Sequence, residues 1–143
     1  LGLGDTVSII AANTPEMYEA HFGVPMAGCV LNTINTRLEA ETIAYILNDS
    51  DSRLLIVDTA FRDTVSAALD MLDHDLEVID IRDPALGELP AIGEIDYEAF
   101  IATGELEFEW RLPEDEWQAL TLSYTSGTSG RPKGVELLRA PHR

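Results

Sequence analysis

The chain has 143 residues and carries 9 Lys plus Arg against 26 Asp plus Glu, a formal charge of −17. Its 45% hydrophobic and 24% charged content is that of a globular protein with a packed core, which excludes a disordered or low-complexity chain. So acidic a surface repels nucleic-acid backbones and anionic membranes, no apolar run approaches the roughly 20 residues that span a bilayer, and no signal-peptide pattern opens the chain, so a soluble cytoplasmic protein is expected.

The first element is a short apolar strand, Val7 to Ala11. Asn13-Thr14-Pro15-Glu16 then opens a helix, with Thr14 as N-cap and Pro15 at the first helical position. Met17, Ala20, Val24 and Ala27 give that helix one apolar face, and Pro25 is expected to distort or shorten it. A second strand, Val30 to Ile34, precedes a helix striped by Ala40, Ile43, Ala44 and Leu47, which Asn48 to Asp51 ends. Arg53 to Val57 is the clearest buried strand, and Phe61 to Leu72 is a further helix through Val65, Ala68, Leu69 and Leu72. Glu77 to Ile81 reads as a strand. Asp83 to Glu94, with Pro84, Gly87, Pro90 and Gly93, reads as an irregular connection, and Asp96 to Ala102 as a short helix. The acidic stretch Thr103 to Glu116 reads as solvated surface, and Leu120 to Tyr124 as a strand leading into a glycine-rich segment. Strands alternating with helices imply an α/β protein whose strands are buried on both faces.

Few single residues outside that segment invite chemistry. Cys29, the single cysteine, sits between Gly28 and Val30 and reads as a small packed apolar residue. His21, His74 and His142 are far apart with no cysteine pair, so structural or surface roles are expected and no metal site is assigned. Trp110 and Trp117 flank the acidic stretch and lack basic neighbours, which favours core or hinge packing over base stacking. No pair of carboxylates is spaced to nominate a general acid and base.

Residues 125–134, Thr-Ser-Gly-Thr-Ser-Gly-Arg-Pro-Lys-Gly, are different: they hold four hydroxyls, three glycines, an arginine and a lysine. Glycines bring backbone N–H groups close to a ligand, hydroxyls are adjustable donors, and Pro132 limits the turn just before Lys133. The spacing matches neither the G-x-x-x-x-G-K-[ST] loop nor the G-x-G-x-x-G fingerprint. Such a composition also makes an ordinary surface loop, so both readings stand on composition alone. Two facts favour an anion. Lys133 is the only lysine, and residues 1–120 hold 5 basic and 25 acidic side chains, net −20, whereas residues 121–143 hold 4 and 1, net +3.

From Tyr124 to Gly134 the wording YTSGTSGRPKG closely resembles the signature loop of the acyl-adenylating (AMP-binding) superfamily, [YF]-[TS]-[ST]-G-[ST]-T-G-x-P-K-G, with Ser129 in a position where Thr is usual. Gly4 to Met17, Ala27 to Leu38, Ile43 to Ser50 and Arg53 to Asp58 resemble the core motifs before that loop. LNTINTRL, with Asp96-Tyr97-Glu98 and Pro113 to Trp117, is most similar to bacterial medium-chain acyl-CoA synthetases and plant acyl-activating enzymes.

The resemblance implies the N-terminal part of a large α/β domain, residues 1–143, ending just after a phosphate loop at 124–134. It implies an enzyme that activates a carboxylic acid, expected to be a fatty acid, with ATP and Mg2+ to an acyl-adenylate and transfers the acyl group to coenzyme A. By position, Thr125, Ser126, Gly127, Thr128, Ser129, Gly130 and Lys133 would surround the β- and γ-phosphates. The family's adenine, acid and magnesium sites and its C-terminal adenylation lysine follow the loop, so no complete catalytic set is expected here. A chain that opens on Leu1 and runs nine residues past Gly134 is expected to be an incomplete domain, inactive alone. The tail from Glu136 departs from the family's usual continuation. Two other readings stay open: a non-catalytic phosphate-binding or interaction module on the same fold, and an aminoacyl-adenylating or luciferase-like relative.

Overall fold

The computed structural model describes residues 1–87, 89–111, 117–125 and 131–138. In chain order it comprises β1 (Thr6–Ile10), α1 (Pro15–Met26), β2 (Val30–Thr33), α2 (Ala40–Asp49), β3 (Ser52–Asp58), α3 (Arg62–Leu69), β4 (Glu77–Ile81), β5 (Ile95–Asp96), α4 (Tyr97–Ile101), β6 (Ala119–Thr125) and β7 (Lys133–Leu138). The strands form one sheet in the order β5-β4-β3-β1-β2-β6-β7, and every neighbouring pair is parallel except β6 and β7. The α/β expectation holds. Two elements were not read from the residues: the short edge strand β5, and β7, whose six residues are all exposed.

The apolar runs of the central strands are continuous because each strand is covered twice. Leu54 and Ile56 of β3 join Val7, Ile9, Leu31 and Ile79 beneath α1 and α4, while Leu55 and Val57 join Ile10 beneath α2 and α3. The stripes read for α1 and α2 are the faces that pack: Met17, Ala20 and Val24 on one side of the sheet, Ile43, Ala44 and Leu47 on the other. Tyr97 of α4 donates to Glu19 Oε2 of α1 at 2.8 Å and links the two helices of its layer.

Helix ends account for the departures. Pro25 neither breaks nor shortens α1, because it stands in the last turn. The helix closes with Gly28 N–H donating to the Pro25 carbonyl at 3.0 Å and Cys29 N–H to that of Val24 at 3.1 Å, the paired bonds of a Schellman motif. Gly28 takes the left-handed conformation this requires, φ 79°. Cys29 is thereby carried into the core, as its packing role demands. Thr14 stands at the N-cap in extended conformation, but its hydroxyl makes no capping bond and its Oγ1 is buried without a partner. Asp51, φ 46°, supplies the left-handed residue after α2, a conformation that Asp adopts more readily than most.

Two buried polar arrangements fix the sheet. Asn32 Nδ2 donates to Ser8 Oγ at 2.8 Å, Ser8 and Ser52 hydroxyls meet at 2.6 Å and Ser52 and Ser50 at 2.7 Å, joining β2, β1 and β3 by side chains as well as backbone. Asp80 in β4 is fully buried and accepts from Ile92 N at 3.0 Å and Gly93 N at 3.1 Å, which anchors the connection to β5. Trp110 and Trp117, expected to pack, are instead 62% and 76% exposed. Residues 103–111 of the acidic stretch are exposed, and 112–116 lie outside the described residues.

Candidate functional site

The glycine-rich segment lies between β6 and β7. β6 runs parallel to β2, so its end at Thr125 stands at the carboxyl edge of the sheet, where open α/β sheets bind ligands. β7 then returns antiparallel, with Thr125 opposite Lys133, Tyr124 opposite Gly134 and Ser123 opposite Val135. Directly opposed residues of an antiparallel pair share a face, with Cβ atoms roughly 5 Å apart. Thr125 and Lys133 therefore stand together at the mouth of the segment, and both are exposed. Ser126, Gly127, Thr128, Ser129 and Gly130 lie outside the described residues.

Beneath this mouth is a cavity of about 450 Å³ between the carboxyl ends of β2 and β6, with Thr33, Asn35, Ser123, Thr125 and Pro132 in its wall. Thr33 and Asn35 also line a second cavity of about 520 Å³, which reaches Asn13 and His21 at the end of β1. Asn35 is held by its own turn, its Oδ1 accepting from Arg37 N at 2.9 Å. The crevice thus follows the carboxyl edge from β1 to the glycine-rich segment.

The opposite face of the hairpin is turned to α2. Tyr124 lies across the strand from Gly134, where an added Cβ would come within 3.1 Å of Leu122 Cδ1 and 3.3 Å of Tyr124 Cζ. The missing side chain therefore leaves room for the tyrosine ring. Tyr124 donates to Asp49 Oδ2 at 2.8 Å, and burial, with the Asp49 carboxylate beside it, pushes its phenol well above the usual tyrosine range, so the hydroxyl remains a donor. Tyr45 donates to the other oxygen of Asp49 at 3.2 Å. The guanidinium of Arg131 lies 5.3 Å from the centroid of the Tyr45 ring, within cation–π range.

The sequence marks Ile43 to Ser50 by its resemblance to the family but gives no functional role to Tyr45 or Asp49. They lie more than seventy positions before the motif; Tyr45 is a half-buried residue in the middle of α2 and Asp49 its exposed last residue. Cys29 is buried, as its packed reading requires. Burial, followed by the nearby Asp5 carboxylate, raises the thiol of Cys29. His21 is exposed with Nδ1 against the Met17 carbonyl, and His74 packs against Asp73 and the Ser52 carbonyl, while His142 lies outside the described residues. Among the described residues no group of three His, Cys, Asp or Glu side chains is arranged to hold a metal ion, and no helix is long and apolar enough to cross a membrane.

Residues 1–139 match the family model described as AMP-binding enzyme. An acetate–CoA ligase of Humulus lupulus is 46% identical, over 96% of this chain and 26% of its own length. A peroxisomal acetate/butyrate–CoA ligase of Arabidopsis thaliana is 44% identical over the same shares of the two chains. Among solved structures, an anthranilate CoA ligase in complex with anthranoyl-AMP superposes with a TM-score of 0.86 at 26% identity, covering 97% of this chain and 26% of that one. The chain spans about a quarter of the length of the relatives it matches.

Proposed function

The chain belongs to the AMP-binding enzyme family, and from that premise we propose that the whole protein is an ATP-dependent acid–CoA ligase of the AMP-forming kind. A carboxylate attacks the α-phosphorus of ATP, the bond to the β-phosphate breaks and pyrophosphate leaves. The acyl-adenylate then passes its acyl group to the thiol of coenzyme A and releases AMP. Residues 1–143 form part of the domain that binds ATP.

The observation that carries this reading is the pairing of Thr125 with Lys133 at the carboxyl edge of the sheet, above a cavity large enough for a small ligand. In the proposal, Lys133 and the hydroxyl and backbone donors of Thr125, Ser126, Gly127, Thr128, Ser129 and Gly130 surround the β- and γ-phosphates. Donors fixed before the reaction stabilise the charge that gathers on pyrophosphate as it departs, without reorganising at that moment. The family resemblance implies magnesium alongside ATP, held by residues that follow the loop; the described residues have no carboxylate cluster that would hold it.

The acid is proposed to be aliphatic. The sequence wording resembles fatty-acid enzymes, and the two plant relatives are named for acetate and butyrate. The experiment is pyrophosphate release by the full-length protein with acetate, butyrate, octanoate and benzoate; release with the aliphatic acids is expected, and none with any acid would overturn the ligase reading. The cytoplasmic location rests on the sequence reading, and a tagged full-length protein found in peroxisomes, the compartment in the name of the Arabidopsis relative, would overturn that part.

A further inference from the structure

We propose that Asp49 and Tyr45 of α2 are positioning residues that hold the phosphate segment at both of its ends. This rests on the reading of residues 125–133 as the phosphate loop. Tyr124, just before Thr125, is tied to Asp49 Oδ2 at 2.8 Å. Arg131, on the far side of the segment, lies over the ring of Tyr45, and Tyr45 in turn is tied to Asp49 Oδ1 at 3.2 Å. One carboxylate therefore serves both flanks, each oxygen taken by a phenol, and a single helix sets where the two ends of the segment stand.

The placement of Asp49 is informative because helix energetics oppose it. It is the last residue of α2, where the partial negative charge of the helix end disfavours a carboxylate. The two phenol donors offset that cost, and hydrogen bonds to a charged acceptor are among the stronger ones. α2 itself is firmly seated, with Ile43, Ala44, Ile46 and Leu47 buried against the sheet, so the anchor does not move with the hairpin. β7 is exposed along its length and β6 is laddered to β2 only as far as Leu122, so the side-chain ties of Tyr124 and Arg131 to α2 restrain the hairpin mouth beyond that ladder.

A clamp that acts by aligning donors affects the step in which charge develops more than it affects capture of the acid. The test uses the full-length protein and acid-dependent pyrophosphate release. Tyr124→Phe and Asp49→Ala are each expected to lower kcat about tenfold with the KM for the acid unchanged. The double variant is expected to be no worse than Asp49→Ala, since both remove the same bond. Asp49→Asn, which keeps one carbonyl acceptor, is expected to recover part of the loss. Tyr124→Phe removes a single oxygen, so it keeps the test open should Asp49→Ala fold poorly. Lys133→Met separates the two readings. If Lys133→Met is slow while Tyr124→Phe and Asp49→Ala match the native protein, the clamp is refuted and the phosphate loop stands; if the native protein releases no pyrophosphate, the loop reading itself fails. Losses in Tyr124→Phe and Asp49→Ala that multiply in the double variant would also refute the clamp, because they would not share one bond.

Discussion

Gly93→Ala should destabilise the protein severely, and the geometry indicates by how much. A Cβ at residue 93 would overlap the carbonyl oxygen of Val78 and lie 2.7 Å from its carbon. That carbonyl cannot retreat, because Val78 lies in β4, which is laddered to β3 on one side, with Val78 opposite Leu55, and to β5 on the other. The connection must move instead, and with it the N–H groups of Ile92 and Gly93 that donate to Asp80. Overpacking of this kind costs about 1–3 kcal/mol, and a fully buried carboxylate losing one such donor costs about 1–3 kcal/mol more. The expected loss is therefore about 2–6 kcal/mol, a large part of the roughly 5–15 kcal/mol that holds a typical domain folded. Urea unfolding of the full-length protein followed by tryptophan fluorescence measures it. Asp80→Asn provides the comparison, since one amide N–H2 would then face a backbone donor, at about 1–3 kcal/mol. A Gly93→Ala unfolding free energy within about 0.5 kcal/mol of the native one would refute the reasoning, because the connection would then be free to shift without disturbing Asp80.

Lys133→Met in the full-length protein should lower the rate of pyrophosphate release by about 10² to 10³ with little change in acid binding; equal rates would remove Lys133 from the mechanism. Gly28→Ala should cost about 1–2 kcal/mol in urea unfolding, because its φ of 79° is strained for any residue with a Cβ, and Leu3 Cδ1, 2.6 Å from the added atom, must also shift. The two ring nitrogens of His74 face acceptors, Asp73 Oδ1 at 3.1 Å and the Ser52 carbonyl at 2.9 Å, and only imidazolium can donate to both. The Asp73 bond first, then that to Ser52, raises its pKa above 6.5 in the folded protein. Its stabilisation is therefore complete below about pH 6.5, the unfolded value, and is lost as pH rises through the folded value. Urea midpoints between pH 5.5 and 8.5 should fall with pH more steeply for the native protein than for His74→Asn, and the opposite order would contradict the assignment.

The α/β class and most element positions were legible because each rests on local chemistry. Two-sided burial makes β1 and β3 continuous apolar runs, and three- and four-residue spacing marks the inner faces of α1 and α2. The segment proposed to bind phosphate stood out for a similar reason: donors, glycines and the single lysine fall within ten residues. β7 and β5 were not, since an exposed edge strand needs no apolar pattern and is defined by the neighbour it pairs with. Trp110 and Trp117 were misjudged because aromatic character records a capacity for burial, and burial depends on what else the fold brings near. The placing of Thr125 against Lys133, and of Asp49 and Tyr45 beneath both flanks of the segment, belongs to the same class. α2 and the β6–β7 hairpin are distant in the chain, and they meet because β2 and β6 are neighbours in the sheet while the helix leaving β2 packs on one of its faces. Spacing along a chain encodes which face of an element is buried; which elements become neighbours is a property of strand order.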